Sequence, residues 1–161
     1  MFLITHSIQI AAPIERCFQL STSLALVEHE LHMHPIPAPG TTRTSGLAQS
    51  GDRIHWSGRQ FGLPQTHVSL ISGFDPPHFF EDTMVAGRFR TFQHQHRFTS
   101  SAGQTVLSDT ITFTMPFGPL GALVGRVLLV PHIRRLLSRR FLLLKRIAES
   151  EEWRTYLPAQ P

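Results

Sequence analysis

Two histidines in the sequence FQHQHRF, residues 92–98, are the clearest candidates for chemistry. Side chains two residues apart in a β-strand project from the same face, so His94 and His96 would point the same way. Phe92 and Phe98 share their parity, and we therefore expect both imidazoles to face an apolar interior. The motif predicts a polar site inside a pocket, whose chemistry depends on the neighbouring groups.

A carboxylate on the next run of alternating residues is the expected neighbour. Asp109 shares its parity with the apolar residues Leu107, Ile111 and Phe113. A hairpin folded about residues 101–102 predicts His94 opposite Asp109 and His96 opposite Leu107. Cross-strand Cβ atoms lie about 5 Å apart, so a hydrogen bond between His94 and Asp109 is feasible. A buried carboxylate needs such a partner.

The preceding run, residues 78–85, has two possible inward faces. Phe80, Asp82 and Met84 share one parity, whereas Phe79 and Glu81 lie on the other. Pairing through the turn at 86–88 sets Phe80 near His94 and Asp82 near Phe92, which favours the first set as inward. Each set contains a phenylalanine and an acid, so parity alone does not decide between them.

Three kinds of site fit this cluster. A metal site would need a third ligand, which Asp109 or Asp82 could supply. An acid–base site would use His94 oriented by Asp109 as a proton shuttle. The third possibility is a polar cluster that satisfies its own hydrogen bonds and binds a ligand's oxygen atoms. We favour the third because no further ligand stands at a fixed spacing, and we predict no metal and no other cofactor.

The elements that must position these residues follow from periodicity and turn signals. Residues 2–10 alternate as a first strand, residues 11–30 suggest two short helices, and the proline-rich segment 32–40 predicts a loop. Six further strands are predicted at 42–50, 53–60, 65–74, 78–85, 89–99 and 104–115. Their short connections imply an antiparallel meander. A helix of roughly 30 residues follows, with a kink expected at Pro131.

That helix also concentrates the positive charge. Six of the 15 basic residues lie between Arg134 and Arg146, and the rest of the chain is slightly acidic. A nucleic-acid binder would spread its charge along a groove, so we expect no nucleic-acid partner. Arg135, Arg139 and Arg146 lie opposite the apolar stripe. They predict a solvated face, with an anionic membrane, a protein partner or a second copy of the chain as alternatives.

The element order and two segments, FDPPHFFEDTMVAGRFRTFQHQHRF and LSDTITFTMPFGPLGALVGRVLL, resemble the SRPBCC superfamily of START and birch-pollen-allergen-like proteins. The chain is most similar to bacterial ligand-binding members of the polyketide cyclase/dehydrase-like group. The resemblance implies an α+β helix-grip fold, in which a seven-stranded antiparallel sheet wraps around the long C-terminal helix and encloses an apolar cavity. It leaves carrier and enzyme roles open.

The expected function is the binding of a hydrophobic or aromatic molecule, lipid-like or polyketide-like, between sheet and helix. A cyclase, dehydratase or isomerase using His94 and Asp109 is the enzymatic alternative, and docking through the basic helix is the third. The side chains expected around the cavity are Trp56, Phe80, Asp82, Met84, Phe92, His94, His96, Phe98, Asp109, Ile111, Phe113 and Phe141.

The length of the chain limits the number of domains, and its cysteine content limits disulfides and thiolate metal sites. The 161 residues fit one domain, 1–161, with a substantial core. The single cysteine, Cys17, excludes an intramolecular disulfide and a thiolate zinc site. With no signal-peptide pattern at the N-terminus and no long apolar run, we expect a cytoplasmic protein.

Overall fold

A computed structural model describes residues 1–157. The seven strands are β1 (Phe2–Ile10), β2 (Met33–Ile36), β3 (Arg53–Gln60), β4 (Leu63–Asp75), β5 (Phe79–Ala86), β6 (Thr91–Ser101) and β7 (Gln104–Thr114). The helices are α1 (Ile14–Thr22), α2 (Leu24–Leu31), α3 (Gly118–Val124) and α4 (Val130–Glu149), with a π-helical segment Gly125–Leu129 and a short 3₁₀-helix Glu151–Thr155.

All seven strands form one antiparallel sheet in the order β1-β7-β6-β5-β4-β3-β2. The long helix α4 packs against the concave side, and α1 and α2 lie between the first two strands in sequence. This is the helix-grip arrangement, and the predicted fold class is confirmed.

One predicted strand was wrong. Residues 42–50 form no extended strand and contribute a single bridge, Ser23 with Leu47. The seventh strand is instead β2, inside the segment predicted to be a loop, where Met33 pairs with Gly58 and Ile36 with His55. Pro35 is tolerated because β2 is the last strand of the sheet and its free edge needs no N–H donor.

Both hairpins around the histidines are shifted by two residues from the predicted register. The β6–β7 turn is centred on Ala102 and Gly103, which have φ of 50° and 76°, as a two-residue hairpin turn requires. His96 therefore faces Asp109, and His94 faces Ile111. In the β5–β6 pair, Phe80 faces His96 and Asp82 faces His94. A shift of two preserves which face each side chain occupies.

The apolar stripe predicted on the helix, Val130, Ile133, Leu137, Phe141, Leu144 and Ala148, is buried except for the half-buried Val130. Ile133, Leu137, Phe141 and Leu144 have at most 8% exposure, and Ala148 has none. A π-helical segment, Gly125–Leu129, directly precedes α4, and Pro131 lies in the first turn of that helix. None of the helices within residues 1–157 is both long enough and apolar enough to span a bilayer.

Candidate functional site

A cavity of about 370 Å³ lies between the sheet and the N-terminal half of α4. Most of its wall is apolar, with side chains from α2, β3, β4, β5, the β5–β6 turn, β6, β7 and α4: Leu24, Val27, Leu31, Ile54, Trp56, Ile71, Phe80, Phe89, Phe92, Ile111, Ile133, Leu136 and Leu137. One group of polar side chains in the wall is Asp82, His94 and His96, with Arg140 from the helix, and other polar side chains come from α1, β3, β4 and α4. The cavity is within the size range of small-molecule sites.

The centre of the polar group is Asp109, which lies behind the two histidines and is 1% exposed. Its Oδ2 is 2.9 Å from Nε2 of His94, and its Oδ1 is 2.9 Å from Nδ1 of His96. In the observed register His96 lies directly across the strand pair from Asp109, and His94 reaches the same carboxylate diagonally. One carboxylate therefore orients both imidazoles.

Asp82 approaches the same rings from the cavity side. Its Oδ2 lies 3.5 Å from Nε2 of His96 and 3.8 Å from Nδ1 of His94. Both distances are too long for good hydrogen bonds. The inward face of β5 is the one that carries Phe80 and Asp82, because Glu81 on the other face accepts hydrogen bonds from Gln93 and Gln95 at 2.8 and 2.7 Å.

The four groups shift one another's pKa values. Burial lowers the pKa of His94, and the neighbouring His96 lowers it further. Burial acts the same way on His96, but the Asp109 and Asp82 carboxylates outweigh it and raise the pKa of that ring. Burial alone would raise the pKa of Asp109, yet the two histidines hold it well below its ordinary value. Asp109 is therefore an anion at neutral pH.

A second buried pair borders the cavity. Nε of Arg140 is 3.2 Å from Oε2 of Glu30, and the two side chains are 9% and 2% exposed. The sequence interpretation overlooked Arg140 within the arginine run. A signal was present, since residue 140 is seven positions after Ile133 and next to Phe141, which places it on the buried side of α4.

The structure divides the predicted cavity residues into two groups. Seven line the cavity: Trp56, Phe80, Asp82, Phe92, His94, His96 and Ile111. Five do not: Met84, Phe98, Asp109, Phe113 and Phe141. Phe98, Phe113 and Phe141 are at most 1% exposed and pack in the main core, and Met84 packs near Gly87. Parity gives the correct face of the sheet, but it does not say where α4 fills the space above that face.

Strand β4 supplies lining residues that the sequence interpretation missed. Gln65, His67 and Ser69 all line the cavity, and Oγ of Ser69 accepts a hydrogen bond of 3.0 Å from Nε1 of Trp56. Burial lowers the pKa of His67. The alternation of Gln65, His67, Ser69 and Ile71 could have identified this face, because its inward members are unusually polar for a core strand.

The cavity also reaches two further segments, the turn after β3 and the start of the proline-rich segment. The turn after β3 contributes Phe61, which is 50% exposed and has its ring centroid 4.3 Å from that of His132 on α4. Across the opening, His32 and Met33 at the start of the proline-rich segment line the cavity. Strand β2 anchors that segment to β3.

Together the fold and the site define a helix-grip domain with a largely apolar cavity that contains a buried Asp–His cluster. The chain belongs to the polyketide cyclase/dehydrase and lipid transport family, whose sequence model matches residues 1–149. The predicted resemblance to the SRPBCC superfamily is thereby confirmed.

Solved structures agree with this assignment. The Zhui aromatase/cyclase from Streptomyces sp. R1128 is 14% identical, with a TM-score of 0.72 over 98% of this chain and 99% of that one. The protein TTHA0849 from Thermus thermophilus gives 0.70 at 15% identity, covering 90% and 95%. Ginseng major latex-like protein 151 from Panax ginseng gives 0.60 at 10% identity, covering 92% and 98%. At these identities the likeness shows a shared fold.

One curated protein matches a part of the chain. Anthranilate phosphoribosyltransferase of Shewanella oneidensis is 32% identical over 81 residues, which are 48% of this chain and 23% of that protein. The chain thus spans less than a quarter of this relative's length.

Proposed function

We propose that the protein binds a hydrophobic, oxygen-bearing aromatic or lipid-like molecule in the cavity between the sheet and α4. The observation that carries the proposal is a mostly apolar cavity wall that contains the buried Asp82–His94–His96 group. An apolar body would displace water from the walls, while a carbonyl or hydroxyl oxygen would meet the imidazoles.

The polar group suits a ligand oxygen because its geometry is fixed from behind. Asp109 holds both rings through hydrogen bonds of 2.9 Å, so their orientation does not depend on the ligand. The ring of Phe80 stacks on His96 with centroids 4.0 Å apart and further restricts it. Pre-ordered side chains lose little conformational entropy when the ligand binds.

The test is calorimetric titration of the protein, freed of metal by a chelator, with 2-naphthol and naphthalene. We expect both to bind and the hydroxyl compound to bind more tightly. In a Trp153→Phe background the emission of Trp56, which lines the cavity, should change on binding. Native mass spectrometry of freshly purified protein would identify a ligand that remains bound.

Two matched variants test the location. Val27 lines the cavity on α2, whereas Val85 is 45% exposed and lies outside it. Val27→Trp should weaken binding by about tenfold or more, a loss of about 1.4 kcal/mol, while Val85→Trp should leave it unchanged. Equal affinity in wild type and Val27→Trp would contradict the proposal.

A cyclase-type reaction at the same place is the second candidate, favoured by the hydrogen bond between Asp109 and His94. Asp109 orients the ring through Nε2, so the Nδ1 atom on the cavity side is the one that could take a proton from a bound substrate. His94→Asn should then lower turnover of a polyketide-like substrate by about 10²–10⁴-fold with the fold intact. Unchanged turnover would exclude this role.

Docking to an anionic membrane is a separate candidate, favoured by helix α3 and the π-helical segment. The glycines face the protein here: a Cβ on Gly125 would lie 2.6 Å from the Phe2 ring. The large apolar side chains face outward, with exposures of 84% for Phe117, 68% for Leu120, 60% for Leu123 and 68% for Val127. No acidic residue occurs between Asp109 and Glu149 in the sequence.

Only two of the three arginines predicted to form the basic face of α4 are free of a carboxylate partner within the described residues. Arg146 is 3.3 Å from Glu152, whereas within residues 1–157 no carboxylate lies within 4 Å of Arg135 or Arg139. An apolar outward face followed by unpaired arginines is complementary to an interface of acyl chains and anionic headgroups.

Vesicle flotation tests the docking. Vesicles containing phosphatidylglycerol should capture the protein at low salt, and capture should weaken at high salt. Leu123→Glu should abolish it, whereas Leu142→Glu on α4, at a similar 65% exposure, should not. If Leu123→Glu instead removed a concentration-dependent dimer and left vesicle binding intact, the surface would belong to a second copy of the chain.

A further inference from the structure

We propose that Asp82, His94 and His96 bind one divalent transition-metal ion on the cavity side of the polar cluster. This departs from the sequence expectation of no metal. The inference goes beyond the binding of an organic molecule and does not depend on it. Three arguments support it: the convergence of three donor atoms, the support behind them, and an unsatisfied buried nitrogen.

One ligand atom from each of Asp82, His94 and His96 lies within 4.8 Å of the other two. We assign these atoms as Oδ2 of Asp82, Nδ1 of His94 and Nε2 of His96, because the two nitrogens are the ones that approach the carboxylate. The carboxylate oxygen is 3.5 Å from the His96 nitrogen and 3.8 Å from the His94 nitrogen. Ligands about 2.1 Å from a tetrahedral zinc ion lie about 3.4 Å apart. The two oxygen–nitrogen distances thus suit the edges of a coordination shell, and small side-chain movements would bring the atoms into place.

The support comes from Asp109, which occupies the other nitrogen of each ring. A carboxylate accepts, so Nε2 of His94 and Nδ1 of His96 donate to it at 2.9 Å. When the rings are neutral, their lone pairs are then at Nδ1 of His94 and Nε2 of His96, the two atoms that approach Asp82. Histidines that bind metals usually donate their other N–H to a carboxylate or carbonyl in this way.

The independent observation is Nε2 of His96. The residue is 1% exposed, and in the part of the chain that the structure describes this nitrogen has no hydrogen-bond partner. An unsatisfied buried polar atom carries a free-energy cost. A metal ion on the lone pair of Nε2 would remove that cost and would also neutralise the nearby Asp82 carboxylate.

The donor set indicates which ions fit. Two imidazoles and one carboxylate suit Zn²⁺, Fe²⁺ and Co²⁺, whereas Mg²⁺ and Ca²⁺ prefer all-oxygen sites. Three protein ligands leave a coordination position directed into the cavity, where water or a ligand oxygen could bind. The ion would act there as a Lewis acid. Coordination at Nδ1 of His94 would occupy the atom needed for acid–base chemistry, so those two roles exclude each other.

The experiment uses the full chain without an affinity tag, stripped by a chelator and desalted. Titration with Zn²⁺ should give one site per chain, and Co²⁺ should give visible absorption bands of a nitrogen- and oxygen-coordinated ion. Two-bond ¹H–¹⁵N spectra should show zinc on Nδ1 of His94 and on Nε2 of His96. Saturation with Zn²⁺ without changes in these two resonances would overturn the proposal.

Variants separate this site from surface binding. Asp109→Asn keeps all three ligands and should weaken Zn²⁺ binding by about 10–100-fold, while His96→Ala and Asp82→Asn should weaken it further. His34, which is exposed and paired with Glu28, provides the control. His34→Asn should not change the affinity, and a loss confined to His34→Asn would place the ion at the surface. Circular dichroism of each variant checks the fold.

The outcomes also separate this proposal from the proposed function. Binding of 2-naphthol to the metal-free protein without any zinc site would overturn the metal proposal alone. A zinc site in a cavity that binds neither naphthalene nor 2-naphthol would sustain the metal proposal and contradict the binding of an aromatic molecule.

Discussion

Helix α4 faces two different environments along its length. Its C-terminal half packs tightly, and Phe141, Leu144 and Ile147 are completely buried. Its N-terminal half lies over the cavity, and Ile133, Leu136 and Leu137 line it. The same helix and the same sheet thus form a solid core at one end and a hollow one at the other.

The difference shows what keeps the cavity open. At the packed end, the facing strands β1, β7 and β6 present Ile10, Leu107 and Phe98, all at most 1% exposed. At the hollow end, β5 and β6 present Asp82, His94 and His96, and Asp109 holds both imidazoles by hydrogen bonds. Polar side chains there resist collapse, because filling the space with apolar groups would leave their polar atoms without partners.

The largest effect on the free energy of unfolding is expected from removing the Asp109 carboxylate, which supports the hollow end. Asp109→Ala leaves two buried imidazoles without their shared acceptor. We expect the free energy of unfolding to fall by about 3–5 kcal/mol, measured by urea denaturation. The exposed Asp75 provides the control, since Asp75→Ala should change the free energy of unfolding by about 0.5 kcal/mol or less. Asp109→Ala with wild-type stability would show that the cluster does not support the fold.

A matched pair on α4 tests the comparison itself. Leu144 is completely buried at the packed end, whereas Leu136 is half-buried and borders the cavity. Leu144→Ala should lower the free energy of unfolding by about 2–5 kcal/mol. Leu136→Ala should cost about 1 kcal/mol or less, because its side chain already borders empty space and loses fewer contacts. Equal losses in the two variants would mean that the two ends are equally well packed in solution.

The sequence predicted correctly which face of each strand points inward, but it placed the cross-strand partners two residues away from their observed positions. The parity of His94, His96 and Asp109 was enough to place all three on the inner face. Their partners depended on the β6–β7 turn, which lies one residue later than predicted and shifts the register by two. A short turn can be placed at neighbouring positions with little change in local preference, so sequence alone does not fix it.

The missed residues have a similar explanation. Strand β2 lies in a segment whose prolines argue against a strand, and its place at the sheet edge is a property of the whole fold. The cavity residues predicted on β6, β7 and α4 included Phe98 and Phe141, which pack at the solid end, and Phe113, which is completely buried against Phe2. The alternation along a strand predicts its inward face. It does not predict which part of that face α4 packs against, because that depends on tertiary packing.

The smallest effect concerns the Glu30–Arg140 pair at the boundary between the two ends. Burial raises the pKa of Glu30 from its usual 4.5 to about 7, although Arg140 opposes the rise. Between these values the folded protein keeps a proton that the unfolded chain releases. The contribution of Glu30 to stability is therefore fully present below pH 4.5 and is lost as the pH rises through about 7.

Glu30→Gln removes this titration, so the free energy of unfolding of the wild type should fall relative to the variant as the pH rises from 5 to 7. The slope has an upper limit of about 1.4 kcal/mol per pH unit for one group, and we expect a difference on the order of 1 kcal/mol per unit. Urea denaturation of both proteins across this range gives the slope. Parallel curves would mean that Arg140 holds Glu30 ionised throughout, and the boundary pair would then behave like a surface ion pair despite its burial.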